Sequence, residues 1–105
     1  MVTKYLVKDG KTEACLSEVA SRELFESIAH TIESHFGGRW VRQLDGIEQR
    51  YWDLEINGVV LTLHLEHYLG ISLLPASGFS DMAMATSLVE AIGAFVEESL
   101  STKAA

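Results

Sequence analysis

The chain has 105 residues, of which 48% are hydrophobic, so it is long enough for one domain with a core and too apolar for an intrinsically disordered chain. Its 15 acidic and 8 basic side chains give a net charge of −7, which repels phosphate backbones and argues against nucleic-acid binding. The single cysteine, Cys15, excludes an intrachain disulfide and a cysteine zinc cage, and its setting is typical of a small packed apolar residue.

The first third of the chain predicts two strands and a helix. Residues 3–7 are predicted as a strand, an Asp-Gly turn signal follows, and residues 12–16 are interpreted as a returning strand, with a helix over 12–19 as the alternative. Ser21 is predicted to cap the next helix, because its hydroxyl can accept a hydrogen bond from a free backbone N–H of the first turn. Gly37-Gly38 predicts the end of that helix. Apolar residues recur between them at helical spacing: Leu24, Phe25, Ile28, Ile32 and Phe36.

The middle of the chain predicts an antiparallel hairpin around Asn57-Gly58, a dipeptide typical of the type I′ turn. With a two-residue loop, one face of the hairpin carries only apolar pairs and the other is mostly polar: Ile56 with Val59, Leu54 with Leu61 and Trp52 with Leu63; Glu55 with Val60, Asp53 with Thr62, Tyr51 with His64 and Gln49 with Glu66. Trp52 is therefore predicted to lie buried between the sheet and a helix, and Tyr51 to point the other way.

The strand before this hairpin, residues 39–44, has three candidate registers. A two-residue loop at Asp45-Gly46 would place Trp40 on the polar face, and a three-residue loop would set two arginines opposite each other, which is unfavourable. A five-residue loop over 45–49 avoids both problems and is the register we predict. It pairs Trp40 with Leu54 and Arg42 with Trp52.

The last third predicts one more strand and a second helix. Residues 67–70 are predicted to form a turn or sharp bulge with Gly70 in an unusual backbone conformation, and residues 71–74 a strand closed by Pro75. Ser80 is predicted to start the second helix, and residues 101–105 to form a frayed tail. The helix has a predicted staple of Phe79 on Met84 and a predicted buried stripe: Ala85, Leu88, Val89, Ile92, Val96 and Leu100.

The resulting order, ββ-α-ββββ-α, predicts a single α+β domain over residues 1–105. We expect a two-layer sandwich in which two amphipathic helices cover one face of an antiparallel sheet of four to six strands. No apolar run reaches the length of a membrane span, and the first residues do not resemble a signal peptide. The sequence therefore predicts a cytoplasmic protein with no membrane partner.

The segment His64-Leu65-Glu66-His67 raises the question of a metal site, because histidine and carboxylate are zinc ligands. On a strand, however, His64 and Glu66 share one face and His67 points the other way. We therefore predict neither a metal nor a cofactor, but a polar strand face with His64 packed on Tyr51. This face is the candidate binding site: Tyr51, Asp53, Thr62, His64, Glu66 and His67.

The same polar face could also form an acid/base cluster, but a flat sheet surface does not exclude water from a reaction. The chain has no nucleophile elbow and no phosphate-binding glycine loop, so we predict no catalytic residue and favour a protein that is not an enzyme. Arg39, Arg42 and Arg50 are predicted to cluster near one end of the sheet, where they could bind an acidic segment or offset the local acidity.

Residues 44–56, LDGIEQRYWDLEI, and 63–71, LHLEHYLGI, resemble small bacterial proteins classed as domains of unknown function. The acidic α+β build is more distantly similar to toxin-immunity proteins and to secretion chaperones. The chain departs from the chaperones in its N-terminal strand and in having only two long helices. These resemblances transfer no functional residue to this chain.

Two functions follow as hypotheses. The first is a non-enzymatic cytoplasmic interaction domain, of an adaptor or immunity type, that binds a protein partner or a second copy of itself as a homodimer. It rests on the acidity, the missing catalytic motifs and the mixed aromatic and polar sheet face. The alternative is a small-ligand or metal-binding domain that uses His64, Glu66 and His67.

Overall fold

The computed structural model describes residues 3–8, 10–76 and 81–104. Its six strands and two helices follow the predicted order, ββ-α-ββββ-α. Residues 12–17 are strand, which decides between the strand and the helix considered for that segment. The elements are β1 (Lys4–Lys8), β2 (Lys11–Ser17), α1 (Arg22–Phe36), β3 (Arg39–Asp45), β4 (Gln49–Ile56), β5 (Val59–Glu66), β6 (Gly70–Pro75) and α2 (Met82–Ala104).

All six strands form one antiparallel sheet in the order β1-β2-β6-β5-β4-β3. The pairing of β2 with β6 joins the N-terminal hairpin to the four later strands. Both helices pack on one face of the sheet, α2 on β2, β6 and β5, and α1 on β5. The opposite face, which carries outward side chains such as Tyr51, Thr62 and His64, is covered by no described element, and we call it the open face. The predicted two-layer α+β architecture is confirmed.

The core lies between the helices and the covered face of the sheet. Along β5, buried residues alternate with half-buried ones, as expected when only one face of a strand meets the core. Burial of each large apolar side chain stabilises the fold by about 1.5–3 kcal/mol. Most of the predicted helical stripes are fully buried here, together with the inward residues of the strands: Phe25, Ile28, Ile32, Ala85, Val89, Ile92, Val96, Leu54, Leu61, Leu63, Leu65, Ile71 and Leu73.

Helix α1 begins and ends at the residues that the sequence predicts. The Ser21 hydroxyl accepts a hydrogen bond from the backbone N–H of Leu24 at 3.1 Å. At the other end, Gly37 takes the left-handed conformation and its N–H donates to the Glu33 carbonyl. Both helix ends are thus satisfied by local hydrogen bonds, which makes the helix boundaries predictable from short sequence signals.

The hairpin of β4 and β5 has the predicted register throughout. Asn57 and Gly58 have φ angles of 49° and 82°, the positive values that a type I′ turn requires. Every predicted pair from Ile56–Val59 to Gln49–Glu66 is found. The two-residue loop therefore determines which side chains of both strands face the helices.

The register of β3 corrects one prediction. Trp40 pairs with Leu54 as predicted, but Arg42 pairs with Asp53 instead of Trp52, because the register shifts at Val41. Without this bulge, Trp40 and Arg42 would point to the same face, since strand side chains alternate. The bulge lets the tryptophan pack on the core while the arginine lies on the open face. Asp45 then pairs with Arg50, so the predicted five-residue loop is too long.

Trp52 lies on the covered face and packs against the core as predicted, but it is half-buried rather than buried. Its ring makes edge-on contacts with Phe25 and Trp40, at centroid distances of 5.0 and 5.4 Å. Its indole N–H donates to the Asp45 carboxylate at 2.8 Å. A buried indole needs a partner for its N–H, and Asp45 supplies one only at the rim of the core.

Helix α2 starts one residue later than predicted. The Asp81 side chain accepts a hydrogen bond from the Met84 N–H at 3.2 Å, and its carbonyl accepts one from Ala85. Asp81 therefore caps the helix in place of Ser80, which lies outside the described residues, as does Phe79 of the predicted staple. Residues 101–104 of the predicted frayed tail continue the helix.

The described helices include none with the length and apolar character needed to cross a membrane.

Gly70 closes the three-residue turn between β5 and β6 and permits the contact of β6 with the end of β2. Its φ is +103°, and an added Cβ would overlap the Ser17 carbonyl oxygen and lie 2.8 Å from the Glu18 Cα. We therefore expect Gly70→Ala to lower the free energy of unfolding by about 3 kcal/mol or more, through backbone strain and a clash with main-chain atoms. Urea denaturation followed by circular dichroism measures this change.

Gly58→Ala is the matched control. Gly58 also has a positive φ, +82°, but an added Cβ there would meet open space. It should cost only the conformational penalty of about 1–2 kcal/mol. Equal losses in the two variants would show that the close approach of β2 does not matter.

Candidate functional site

The open face carries a balanced set of charges. Its described side chains include four acidic and four basic residues, placed by the strand registers: Glu13, Asp53, Glu55 and Glu66, and Lys4, Lys11, Arg39 and Arg42. Because the whole chain has a net charge of −7, its excess acidity lies elsewhere. Apolar side chains lie between these charges: Leu6 is 56% exposed, Leu44 46% and Tyr51 39%.

Tyr51 and His64 form the centre of the open face. They pair across β4 and β5, and their rings stack with centroids 4.4 Å apart and planes 12° from parallel. The predicted packing of His64 on Tyr51 is thus found. The Tyr51 hydroxyl donates to the Gln49 side chain. The His64 Nε2 atom is buried and has no hydrogen-bond partner within the described chain, which is unusual because buried polar atoms are almost always paired.

Asp53 and Thr62 lie beside this ring pair. The Thr62 hydroxyl donates to the Asp53 carboxylate at 2.6 Å. Across the next strand, Arg42 pairs with Asp53 in register but forms no ion pair with any residue of the described ranges. Arg39, on the same strand, is held by Glu55 at 3.0 Å. Arg42 therefore presents an unpaired guanidinium at the edge of the open face.

His67 does not join the other candidate residues. It lies exposed in the turn after β5, its backbone N–H donates to the Glu48 carbonyl, and its ring contacts Tyr68 edge-on. Within the described part of the chain, no three His, Cys, Asp or Glu side chains are arranged to hold a metal ion. The structure therefore brings together five of the six predicted binding residues and leaves His67 outside the group.

A cavity of about 240 Å³ lies on the open face where β2, β6 and β5 meet. Its walls include the polar side chains of Glu13, Cys15, His64 and Glu66, and the apolar side chains of Leu6 and Leu69. Two of these polar residues, Glu13 and Cys15, were not predicted as site residues. They come from the N-terminal hairpin, and no local sequence pattern predicts the pairing of β2 with β6. Cys15 is partly exposed on this face, which corrects its interpretation as a packed apolar residue.

Two shallower depressions adjoin β3 on the same face. One, of about 300 Å³, is lined by Arg42, Leu44, Tyr51, Asp53 and Thr62. The other, of about 670 Å³, follows the loop from Leu44 to Gln49. Tyr51 borders both depressions, so the surface of the open face is uneven rather than flat. A separate apolar groove of about 460 Å³ lies on the covered side, between the β4–β5 turn and α2.

Burial and charge set the protonation states at the cavity. Burial lowers the pKa of His64, while Glu66 and Glu13 act in the opposite direction. His64 is therefore a neutral imidazole at neutral pH. Burial also raises the pKa of the Cys15 thiol, and Glu13 raises it further, against a smaller opposing effect of Lys4. Cys15 is thus a protonated thiol, whereas cysteine nucleophiles need a thiolate.

Arg50 does not belong to the open face, which corrects the predicted cluster of three arginines. It lies on the covered face, where its side chain is only 11% exposed. The guanidinium lies near the rings of Phe25 and Trp52 and forms ion pairs with Glu26 at 3.0 Å and Asp45 at 3.1 Å. It closes the rim of the core instead of contributing to the candidate site.

Protonation of His64 is expected to destabilise the fold. Its folded-state pKa lies below the ordinary value of 6.5, so the unfolded chain takes up the proton first as the pH falls. The free energy of unfolding should therefore have its full value above about pH 7 and decrease as the pH falls through the range in which the unfolded chain binds the proton. His64→Gln should reduce this decrease, as measured by urea denaturation at each pH.

The control for this prediction is His30→Gln. His30 lies exposed on α1 and does not line the cavity. A pH dependence that is the same in the parent chain and in His64→Gln would contradict the expected protonation effect.

Comparisons with known proteins assign neither a family nor a function to the chain. No protein-family model, curated protein or solved structure matches the chain. The function therefore has to be argued from the chemistry of the open face itself.

Proposed function

We propose that the protein is a non-enzymatic interaction domain that binds a protein partner through the open face of its sheet. One observation carries the proposal: a six-stranded sheet has helices on one side only, and its other side combines exposed aromatic and aliphatic side chains with balanced charges. Aromatic side chains and arginine are enriched at protein interfaces. An immunity or adaptor role and a cytoplasmic location are finer parts of the same proposal.

The edges of the sheet are less suitable for binding than its face. An exposed edge strand can pair with another chain, and proteins block this with bulges and with charged side chains, especially lysine. Edge strand β3 has the bulge at Val41 and two arginines, and edge strand β1 carries Lys4. These features disfavour strand addition and direct association to the open face.

The site chemistry also favours binding over catalysis. A general base must lie within hydrogen-bond reach of the group that it activates. The Nε2 atom of His64 has no hydrogen-bond partner among the described residues, Cys15 is a protonated thiol, and the Asp53 carboxylate accepts from Thr62. None of these contacts pairs a nucleophile with a base.

Site-specific photo-crosslinking tests the proposal in cells that produce the protein. A benzoylphenylalanine at Tyr51 should give one discrete protein adduct, which mass spectrometry identifies, because this residue lies at the centre of the open face. The matched control places the same group at Glu90, which is exposed on α2. Leu44→Asp should reduce the Tyr51 adduct by about tenfold, because it puts a charge on the apolar part of the face. Equal adduct patterns at the two positions would contradict the proposal.

A second candidate, binding of a small ligand, is favoured by the buried and unpaired Nε2 atom of His64 beside a cavity of about 240 Å³. Native mass spectrometry of untagged protein should then show a stoichiometric bound mass that His64→Ala removes. If the ligand is a metal ion, added zinc should raise the melting temperature of the protein. An unliganded mass together with an unchanged melting temperature would rule out both kinds of ligand.

A further inference from the structure

We propose that the partner on the open face is a second copy of this chain, related by a two-fold axis along the Tyr51–His64 ring pair, with Arg42 of each copy placed at the cavity of the other. This inference rests on the proposed function and names the occupant of the same surface. The elements that carry it are the charge balance of the face and the spacing of its charged groups.

The charge balance favours self-association over a strongly charged partner. The chain has a net charge of −7, so two copies repel each other across most orientations. The open face is the exception, because its described charges cancel. Arg39 and Arg42 lie on β3, whereas Glu13 and Glu66 lie around the cavity on β2 and β5. A rotated copy can therefore place opposite charges together.

The strand order places these two groups symmetrically about the ring pair. β3 and β6, on which the cavity is centred, are three strand positions apart, or about 14 Å. A two-fold axis parallel to the strands and midway between them runs between β5 and β4, where Tyr51 and His64 stack. Rotation about this axis carries β3 of one copy over β6 of the other. The same operation brings the two Tyr51–His64 pairs together at the centre of the interface, where aromatic side chains contribute most to binding.

Arg42 matches the chemistry of the cavity that it would reach. It is exposed, and no described residue forms an ion pair with it. The cavity offers the carboxylates of Glu13 and Glu66, both of which can accept from a guanidinium. The apolar walls of Leu6 and Leu69 suit the methylene stem of an arginine. The contact would thus supply a partner for the Arg42 guanidinium, which forms no ion pair with a described residue.

Four strands of each copy overlap in this arrangement, because an axis between β5 and β4 places β3 over β6 and β4 over β5. Four strands spaced by about 4.8 Å and about 20 Å long cover roughly 380 Å² in projection, and side-chain relief increases the accessible area. The overlap is smaller than the roughly 800 Å² per partner of a standard interface, so the dimer belongs to the weak, concentration-dependent class. The aligned strands of two copies would pack as in a β-sandwich, whose facing sheets lie about 10 Å apart.

Charge exchange tests the proposal on the full chain by sedimentation velocity over a range of concentrations. Arg42→Glu should raise the dimer dissociation constant by at least about tenfold, because each copy then places like charges together. Glu13→Arg and Glu66→Arg should each weaken the dimer in the same way. Combining Arg42→Glu with Glu13→Arg or with Glu66→Arg should restore association. Each double variant keeps the net charge of the parent chain, so a general charge effect cannot produce the rescue.

The control is Glu90→Arg on α2, which changes the charge as Glu13→Arg does but should leave the dissociation constant within about twofold. Circular dichroism verifies that every variant is folded. A monomeric parent chain, a dimer insensitive to Arg42→Glu, or the failure of both double variants to restore association would overturn the proposal. A Tyr51 crosslink to a different protein would then retain the interaction function and assign the face to another partner.

Discussion

The structure depends on the register of one hairpin. Asn57 and Gly58 both take positive φ angles, which allows a two-residue turn, and strand alternation then assigns every side chain of β4 and β5 to one face or the other. A slip of β4 by one residue would move Asp53 into the core and Leu54 onto the surface. The high cost of burying unpaired polar groups excludes that arrangement. The two helices therefore cover the leucine side, and the open face follows as its complement.

The second constraint is the pairing of β2 with β6, which joins the N-terminal hairpin to the four later strands. β2 reaches β6 only because Gly70 has no side chain, so its Cα can approach the backbone of Ser17 and Glu18. This contact brings Glu13 and Cys15 beside His64, although about fifty residues separate them in sequence. The cavity is thus a product of tertiary packing, and its walls come from four strands rather than from one motif. Gly70 therefore also contributes to the candidate site, because it allows the two backbones to approach closely.

Arg50 and Arg42 lie on neighbouring strands but on opposite faces of the sheet, and a small irregularity of the backbone causes this difference. Arg50 faces the core rim, where Glu26, Asp45 and two aromatic rings hold its guanidinium. Arg42 would share the face of Trp40 in a regular strand, but the bulge at Val41 turns it to the open face. There it is free of ion pairs within the described chain. The bulge also weakens β3 as a template for strand addition, so one irregularity both protects the edge and supplies a charge to the face.

The sequence by itself determined the features that depend on short-range chemistry. The Ser21 and Gly37 ends of α1, the Asn57-Gly58 turn, the stripe of α2 and the Tyr51–His64 pairing each follow from hydrogen bonds or periodicity within a few residues. From these the element order and the two-layer architecture could also be predicted. Five of the six predicted site residues are neighbours because they share one hairpin and one face.

Only the tertiary structure decided what depends on contacts between distant segments. The partner of β2, and with it the membership of Glu13 and Cys15 in the cavity, has no local signature, since any strand edge can pair with another. The bulge at Val41 balances the burial of Trp40 against the exposure of Arg42, and its position follows from the sheet as a whole. The half-burial of Trp52 has the same origin, because its indole N–H finds Asp45 only at the rim of the core. Local sequence sets which groups need a partner, whereas the fold decides where each partner lies.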